Sequence, residues 1–147
     1  MKQRMVVSLL LAIALLTACG GGKGIYGTVT DGEARKSLAG ASVELLSCAA
    51  SGCDEKVASQ TTSSDGRYSF PDVPAGKYML SIIWGNAPLC PGIQPYQTLG
   101  TSGEFLVTYA GYGGLGGTGN RRMVAVKELE LQEGKSVKLD LTFACPK

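Results

Sequence analysis

The chain has 147 residues, a length that suits a single domain. It carries 14 Lys and Arg residues against 12 Asp and Glu residues, and this near balance provides no basic face of the kind that binds nucleic acid. It contains no histidine, which excludes Ser-His-Asp and Cys-His catalytic sites and zinc sites with histidine ligands.

The first 18 residues have the pattern of an export signal. Lys2 and Arg4 make a basic start, and residues 5–16 form an apolar run too short to span a bilayer comfortably as a helix. The tetrapeptide Leu-Thr-Ala-Cys, which ends at Cys19, follows directly and resembles the lipobox of bacterial lipoproteins. We therefore predict a signal peptide over residues 1–18 with cleavage before Cys19. The alternative is an ordinary secretory signal in which this cysteine has no role.

Lipidation of Cys19 is what that resemblance implies. The sulfur would carry a diacylglyceryl thioether and the amine an acyl chain such as palmitate, and two or three acyl chains hold a protein on a membrane essentially permanently. Residues 19–23 then form a lipidated, glycine-rich tether. Gly20 rather than Asp follows the cysteine, which resembles the default for sorting to the outer membrane. The expected location is the bacterial cell envelope, with the membrane as a partner through the lipid anchor.

Residues 24–147 have the pattern of short β-strands separated by turns. Alternating apolar residues are punctuated by Gly, Pro, Asp and Ser, and no segment after residue 18 has helical periodicity. The predicted strands are residues 25–30, 41–46, 56–62, 67–70, 76–84, 104–110 and 122–126, followed by a hairpin of residues 129–131 and 136–143. We predict an all-β fold: a single Ig-like β-sandwich of about seven strands, with a long inserted loop or hairpin after the fifth strand at about residues 85–122.

Three local features of this pattern lead to further predictions. Weak hydrophobicity places residues 56–62 near a sheet edge, and the prolines and glycines of residues 85–103 predict a loop. Residues 111–120 are glycine-rich but lack the ending of a phosphate-binding loop, so we interpret them as a flexible hairpin tip. The inward phase changes between Val126 and Leu129, which predicts a bulge or break there.

After Cys19, four cysteines remain: Cys48, Cys53, Cys90 and Cys145. In an oxidising compartment an even set predicts two disulfides, with three connectivities. We favour Cys48–Cys53, because the short flexible segment between them lets the thiols meet, and Cys90–Cys145, which would tie the insertion to the last strand. A redox or metal site is the alternative for the first pair, and its CxxxxC spacing does not favour one.

Four motifs occur in order: Gly-Thr-Val-Thr-Asp at residues 27–31, Leu-Ala-Gly-Ala-Ser-Val at 38–43, Thr-Ser-Ser-Asp-Gly-Arg-Tyr-Ser-Phe at 62–70 and Val-Pro-Ala-Gly-Lys-Tyr-Met-Leu at 73–80. Together they resemble the carboxypeptidase regulatory-like domain, a transthyretin-like (prealbumin-like) β-sandwich related to collagen-adhesin B-type repeats. The resemblance covers residues 24–84 and resumes in the closing hairpin. It implies no catalysis, since in the enzymes that carry this domain a separate peptidase domain holds the zinc chemistry.

These features predict a membrane-anchored, non-catalytic binding or structural module of the cell envelope, with no cofactor and with an envelope protein or a glycan as partner. The alternative is a carbohydrate-binding module. In that alternative Trp84, Tyr96, Tyr109 and Tyr112 stack on sugar rings from exposed positions in the loops.

A calcium site is a further idea that the turn aspartates raise. Asp31, Asp65 and Asp72 all lie in predicted turns. Aspartates in turns commonly bond their own backbone instead of a metal, so the prediction is that no metal is bound.

Overall fold

The computed structural model describes residues 23–88, 90, 97–110 and 121–145 of the chain. The strands in these ranges are β1 (Gly24–Asp31), β2 (Lys36–Ser37), β3 (Ser42–Ala49), β4 (Gly52–Thr61), β5 (Arg67–Pro71), β6 (Gly76–Gly85), β7 (Gln97–Ser102), β8 (Phe105–Ala110), β9 (Arg122–Leu131), β10 (Ser136–Lys138) and β11 (Leu141–Phe143). None of the described segments forms a helix that could span a membrane. The predicted all-β class is confirmed.

The strands form two sheets in a sandwich. The five-stranded sheet is centred on β1, which pairs with β5 and β10 along its first half and with β2 and β11 along its second half. The pairings of β1 with β10 and β11 are parallel, although these strands come from the two ends of the domain. The second sheet has six antiparallel strands in the order β4-β3-β6-β9-β8-β7. The predicted Ig-like β-sandwich is therefore confirmed.

The core lies between the sheets and consists of the inward residues of each alternating strand. The largest side chains that are fully buried are Phe105, Phe143, Ile25, Leu45, Leu80, Ile82, Met123, Leu131, Leu141, Val29 and Val43. Burying one such side chain contributes about 1.5–3 kcal/mol, so this set supplies a substantial part of the driving force for folding. Along β3, β5 and β11, buried apolar residues alternate with more exposed residues.

Side-chain hydrogen bonds join the two sheets at both edges of the sandwich. Gln60 Nε2 on β4 donates to the Ser69 carbonyl on β5 at 2.9 Å. Ser102 Oγ on β7 donates to the Thr142 carbonyl on β11 at 2.7 Å. The prediction that β4 lies at an edge is confirmed, and each edge is partly covered by the other sheet.

The predicted insertion is an integral part of the sandwich. β7 pairs with β8, and β8 pairs with β9, so two extra strands extend the six-stranded sheet. Phe105, Val107 and Tyr109 of β8 are buried in the core. The prediction of a loop over residues 85–103 is wrong at residues 97–102, which form the edge strand β7. The sequence of this strand, Gln-Thr-Leu-Gly-Thr-Ser, has no alternating apolar pattern that would identify it as a strand. The glycine-rich residues 111–120 lie outside the described ranges.

Two predictions for the end of the chain are also wrong. β9 pairs with β6 over ten consecutive residues without a register shift, so the predicted bulge is absent from that pairing. The side chains of Met123, Ala125 and Leu131 are buried, so these residues, and not the neighbours of Met123 and Ala125, face the core along β9. The predicted hairpin does not form either, because the chain crosses from β9 in one sheet to β10 in the other. Since both sheets face one core, alternation alone does not identify a strand's neighbour.

Candidate functional site

The outer face of the five-stranded sheet carries an open groove of about 730 Å³, which we call the sheet-face groove. Its lining residues are Tyr26, Gly27, Thr28, Gln60, Thr61, Ser63, Arg67, Tyr68, Ser69 and Lys138. They come from β1, β5 and β10 on the floor and from the end of β4 and the following turn on the wall. A volume of this size lies within the range of ligand-binding pockets.

Strand alternation and register place the polar side chains of the floor together. Ile25, Gly27 and Val29 point inward, so Tyr26 and Thr28 lie on the outer face of β1. In the ladder, Tyr26 is opposite Ser69 of β5 and is paired with Lys138 of β10. Thr28 is opposite Arg67.

Between the end of β10 and the start of β11, the side chain of Asp140 takes the place of a backbone hydrogen-bond acceptor for β1. Its Oδ1 accepts hydrogen bonds from the Thr28 backbone N–H and from Thr28 Oγ1, both at 2.9 Å. Its Oδ2 lies 2.7 Å from Lys138 Nζ. The hydrogen bond from Lys138 is the main cause that lowers the pKa of Asp140, and the same bond raises the pKa of Lys138. Asp140 is therefore an ionised acceptor committed to holding β1 and the closing strands together.

Tyr68 lies directly beneath this junction. Its hydroxyl donates to the Leu139 carbonyl at 2.6 Å, and the Leu139 N–H donates to the Tyr26 carbonyl at 2.8 Å. Burial, with a smaller contribution from the charge of Asp140, raises the pKa of Tyr68 above its usual range. Gly27 makes room for this arrangement, because a Cβ there would lie 2.8 Å from Tyr68 Oη. The phenol is a protonated structural donor.

The charges at the other end of the groove are also paired. Arg67 Nε lies 2.9 Å from Asp65 Oδ2. Ser63 Oγ donates to Asp65 Oδ1 at 2.6 Å, and this bond is the main cause that lowers the pKa of Asp65. With Lys138 paired to Asp140, each cation of the groove has its own carboxylate. The groove therefore presents hydrogen-bonding groups without a strong net charge.

Tyr26 is the residue of the groove that the sequence analysis missed. It is 39% exposed, while the other aromatic residue of the groove, Tyr68, is 3% exposed. The signal was present: an aromatic side chain on the outward phase of a strand whose neighbours Ile25 and Gly27 point inward. An exposed ring among polar groups is the more informative observation, because buried aromatics are usual in a core.

The loop aromatics predicted to stack on sugars do not form an exposed set in the described structure. Tyr109 is 3% exposed, so the prediction that it offers an exposed ring is wrong. Trp84 is partly buried, and its ring lies 5.8 Å from that of Phe143, which makes it a core anchor at the end of β6. Tyr96 and Tyr112 lie outside the described residues, as does Cys19.

Both favoured cysteine pairs are disulfides in the structure. Cys48–Cys53 closes the hairpin between β3 and β4, and we call it the hairpin disulfide. Cys90–Cys145 joins residues 55 positions apart and ties the segment after β6 to the end of the domain. The sulfur atoms of these four cysteines are therefore not available as metal ligands or redox thiols while oxidised.

The turn aspartates bond neighbouring groups. Asp31 Oδ1 accepts the N–H groups of Glu33 at 2.9 Å and Ala34 at 3.0 Å, and Asp65 bonds Ser63 and Arg67. Asp72 lies in a corner with a positive φ of 55°. Within the described ranges, no three acidic, cysteine or histidine side chains come together in a way that could hold a metal ion.

Comparison with known proteins identifies the first part of the sandwich. Residues 24–89 match the family model of the carboxypeptidase regulatory-like domain, which confirms the domain predicted from the four motifs. Domains of this type are typically non-catalytic. Among solved structures, the chain is similar to a Pseudomonas aeruginosa protein proposed to bind carbohydrate, with 16% identity, a TM-score of 0.45, and coverage of 83% of this chain and 89% of that chain. No curated protein gives a significant match.

Proposed function

We propose that this protein is a lipid-anchored, non-catalytic binding module of the bacterial cell envelope, located at the outer membrane. The two disulfides support the proposal most directly. Disulfides of this kind persist in exported proteins, and they account for four of the five cysteines. Cys19 is left at the end of the lipobox-like tetrapeptide, where a thiol is needed for lipid attachment.

The short distance in sequence between Cys19 and β1 limits how far the domain could lie from a lipid anchor. Gly24, the first residue of β1, lies five positions after Cys19, so the chain between them reaches at most about 18 Å. The Lys23 carbonyl accepts a hydrogen bond from the Asp72 N–H at 2.7 Å, which holds the start of β1 against the corner between β5 and β6. A lipid on Cys19 would keep this end of the sandwich near the membrane surface. Cys145 follows β11, whose last residue pairs with Asp31 at the opposite end of β1.

Membrane fractionation of cells that express the full chain tests the anchor. The wild-type protein is expected in the membrane fraction and Cys19→Ala in the soluble fraction. A variant with Cys48→Ser and Cys53→Ser is the matched control, since it removes two thiols without touching the anchor, and it should remain with the membrane. Membrane retention of Cys19→Ala equal to that of wild type would refute the anchor. Metabolic labelling with a palmitate analogue then reports the lipid itself.

Carbohydrate binding is the second candidate function, and the exposed ring of Tyr26 is the observation that favours it. Two of the four loop aromatics first considered for this role are buried or partly buried. The sheet-face groove instead offers one exposed ring surrounded by hydroxyl, amide and guanidinium groups, a combination that suits a ligand with apolar faces and many hydroxyls. Retention of the protein on insoluble polysaccharides tests this class of ligand.

A further inference from the structure

We infer that the sheet-face groove is the binding site of a neutral glycan, with Tyr26 as the stacking surface for one sugar ring. The inference rests on the proposed binding function and assigns its site and ligand class. The occupant that the groove suits is hydroxyl-rich and uncharged, and it presents one flat apolar face.

The stacking surface is held in a fixed position. Tyr26 lies on β1, which is the centre of its sheet and is hydrogen-bonded to β5 and β10 at this residue. The Leu139 N–H bonds the Tyr26 carbonyl, and Asp140 bonds Thr28 two residues further along. Because the backbone beneath the ring is fixed on both sides, binding would order little more than the tyrosine side chain itself, which lowers the entropic cost of association.

Hydrogen-bonding groups around the ring remain available to a ligand. The hydroxyls of Tyr26 and Ser69 have no hydrogen-bond partner among the described residues, and each can donate and accept. Gln60 uses Nε2 to bond the Ser69 carbonyl, which aligns its amide beside the groove and leaves Oε1 as an acceptor. Sugar hydroxyls also both donate and accept, so they match this mixture of groups.

The charge pattern favours a neutral glycan over an acidic one. Lys138 and Arg67 are the cations of the groove, and each forms an ion pair with a carboxylate, at 2.7 Å and 2.9 Å respectively. An anionic polymer would have to compete with Asp140 and Asp65 for these cations and would approach both carboxylates. A neutral ligand accepts hydrogen bonds from the remaining N–H groups of Arg67 without separating either pair.

Depletion binding isotherms on insoluble polysaccharides test the inference, with the full-length protein kept in a mild non-ionic detergent. Cellulose, starch granules and chitin are the neutral probes, and cross-linked alginate and pectate are the acidic ones. At least one neutral probe is expected to retain the wild-type protein. Tyr26→Ala should weaken that binding about tenfold, because the ring contact is lost.

Two variants serve as controls. Tyr26→Phe keeps the ring and should bind within about fivefold of wild type, since it loses only one hydroxyl. Leu106→Ala removes a side chain of similar exposure, 46%, from β8 of the other sheet and should bind like wild type. Thermal unfolding of each variant checks that the fold is unchanged.

The binding and fractionation results test the glycan site and the lipid anchor separately. The inference is overturned if no neutral probe retains the protein, if Tyr26→Ala binds like wild type, or if only the acidic probes retain it. Fractionation reports the anchor independently: Tyr26→Ala should still partition with membranes, and Cys19→Ala should still bind the neutral probe. Failure of the anchor would therefore leave the glycan site standing, and failure of the glycan site would leave the anchor standing.

Discussion

Replacing Gly27 with Ala places a methyl group where the junction between β1 and the closing strands leaves no room for one. An ideal Cβ at residue 27 would overlap the carbonyl oxygen of Leu139 and would lie 2.6 Å from the Leu139 carbonyl carbon and 2.8 Å from Tyr68 Oη. The Leu139 atoms belong to the backbone, so no rotamer change relieves the overlap. The segment between β10 and β11 must therefore move away from β1.

That movement affects two buried hydrogen bonds and the packing around them. The Tyr68 hydroxyl bonds the Leu139 carbonyl at 2.6 Å, and the Leu139 N–H bonds the Tyr26 carbonyl at 2.8 Å. Each bond contributes about 1 kcal/mol to stability, and forcing a methyl group into a packed interior costs about 1–3 kcal/mol. We expect Gly27→Ala to lower the free energy of unfolding by about 3–5 kcal/mol, a large part of the roughly 5–15 kcal/mol of a typical domain.

Urea unfolding with the disulfides kept oxidised measures this change. The single tryptophan, Trp84, packs against Phe143 and provides a fluorescence signal from the core. Gly85→Ala is the matched control, because a Cβ at residue 85 meets nothing within 4 Å, and its stability should differ from wild type by less than about 0.5 kcal/mol. If Gly27→Ala lowered stability by less than about 1 kcal/mol at an unchanged m-value, the close approach of these strands would be refuted.

Three further perturbations probe the same junction and the disulfide that closes the domain. Tyr68→Phe removes the donor to the Leu139 carbonyl and should cost about 1–2 kcal/mol in urea unfolding. Because the pKa of Tyr68 is raised in the folded protein, the wild-type protein should lose stability as the pH rises above about 10. If Tyr68→Phe lost stability as steeply as wild type over the same pH range, this assignment would be contradicted. The pKa of Asp140 is lowered in the folded protein, so the contribution of Asp140 to stability is present when the pH is above 3.8, the ordinary pKa of this carboxyl group. That contribution is lost as the pH falls below this value. The stability difference between wild type and Asp140→Asn, no more than about 1 kcal/mol for this half-exposed pair, should therefore vanish in acid. Replacing both Cys90 and Cys145 with Ser opens a loop of 55 residues. In the chain-entropy treatment this should lower the free energy of unfolding by about 4 kcal/mol, whereas removal of the hairpin disulfide should lower it by about 2 kcal/mol. Equal losses would show that loop length does not decide the effect.

The strands that the sequence predicted well are those with strong local patterns. β5 and β6 alternate regularly and are bounded by turn residues, and their inward side chains Tyr68, Phe70, Tyr78 and Leu80 are buried. The failures occurred where the pattern was weak or ambiguous. β7 has little apolar character, and β9 contains apolar residues on both phases, so its inward phase became clear only from its pairing with β6.

The disulfides illustrate an intermediate case. The short spacing of Cys48 and Cys53 on either side of a turn made their pairing a local inference. The pairing of Cys90 with Cys145 followed only by elimination from a set of four, because residues so far apart in sequence meet only through the course of the strands between them. The loop aromatics failed for a related reason, since composition does not reveal whether a ring such as Tyr109 faces the core or solvent.

The sequence by itself determined the all-β class, the motifs of the carboxypeptidase regulatory-like domain, the lipobox-like tetrapeptide and the inward faces of the regular strands. All of these depend on residues within a few positions of one another. Only the tertiary structure decided that β1 lies beside β10 and β11, and this is why Thr28 meets Asp140 across 112 positions of sequence. The sheet-face groove depends on that long-range parallel pairing, because strand alternation specifies which side of a strand faces water but not which strand lies next to it.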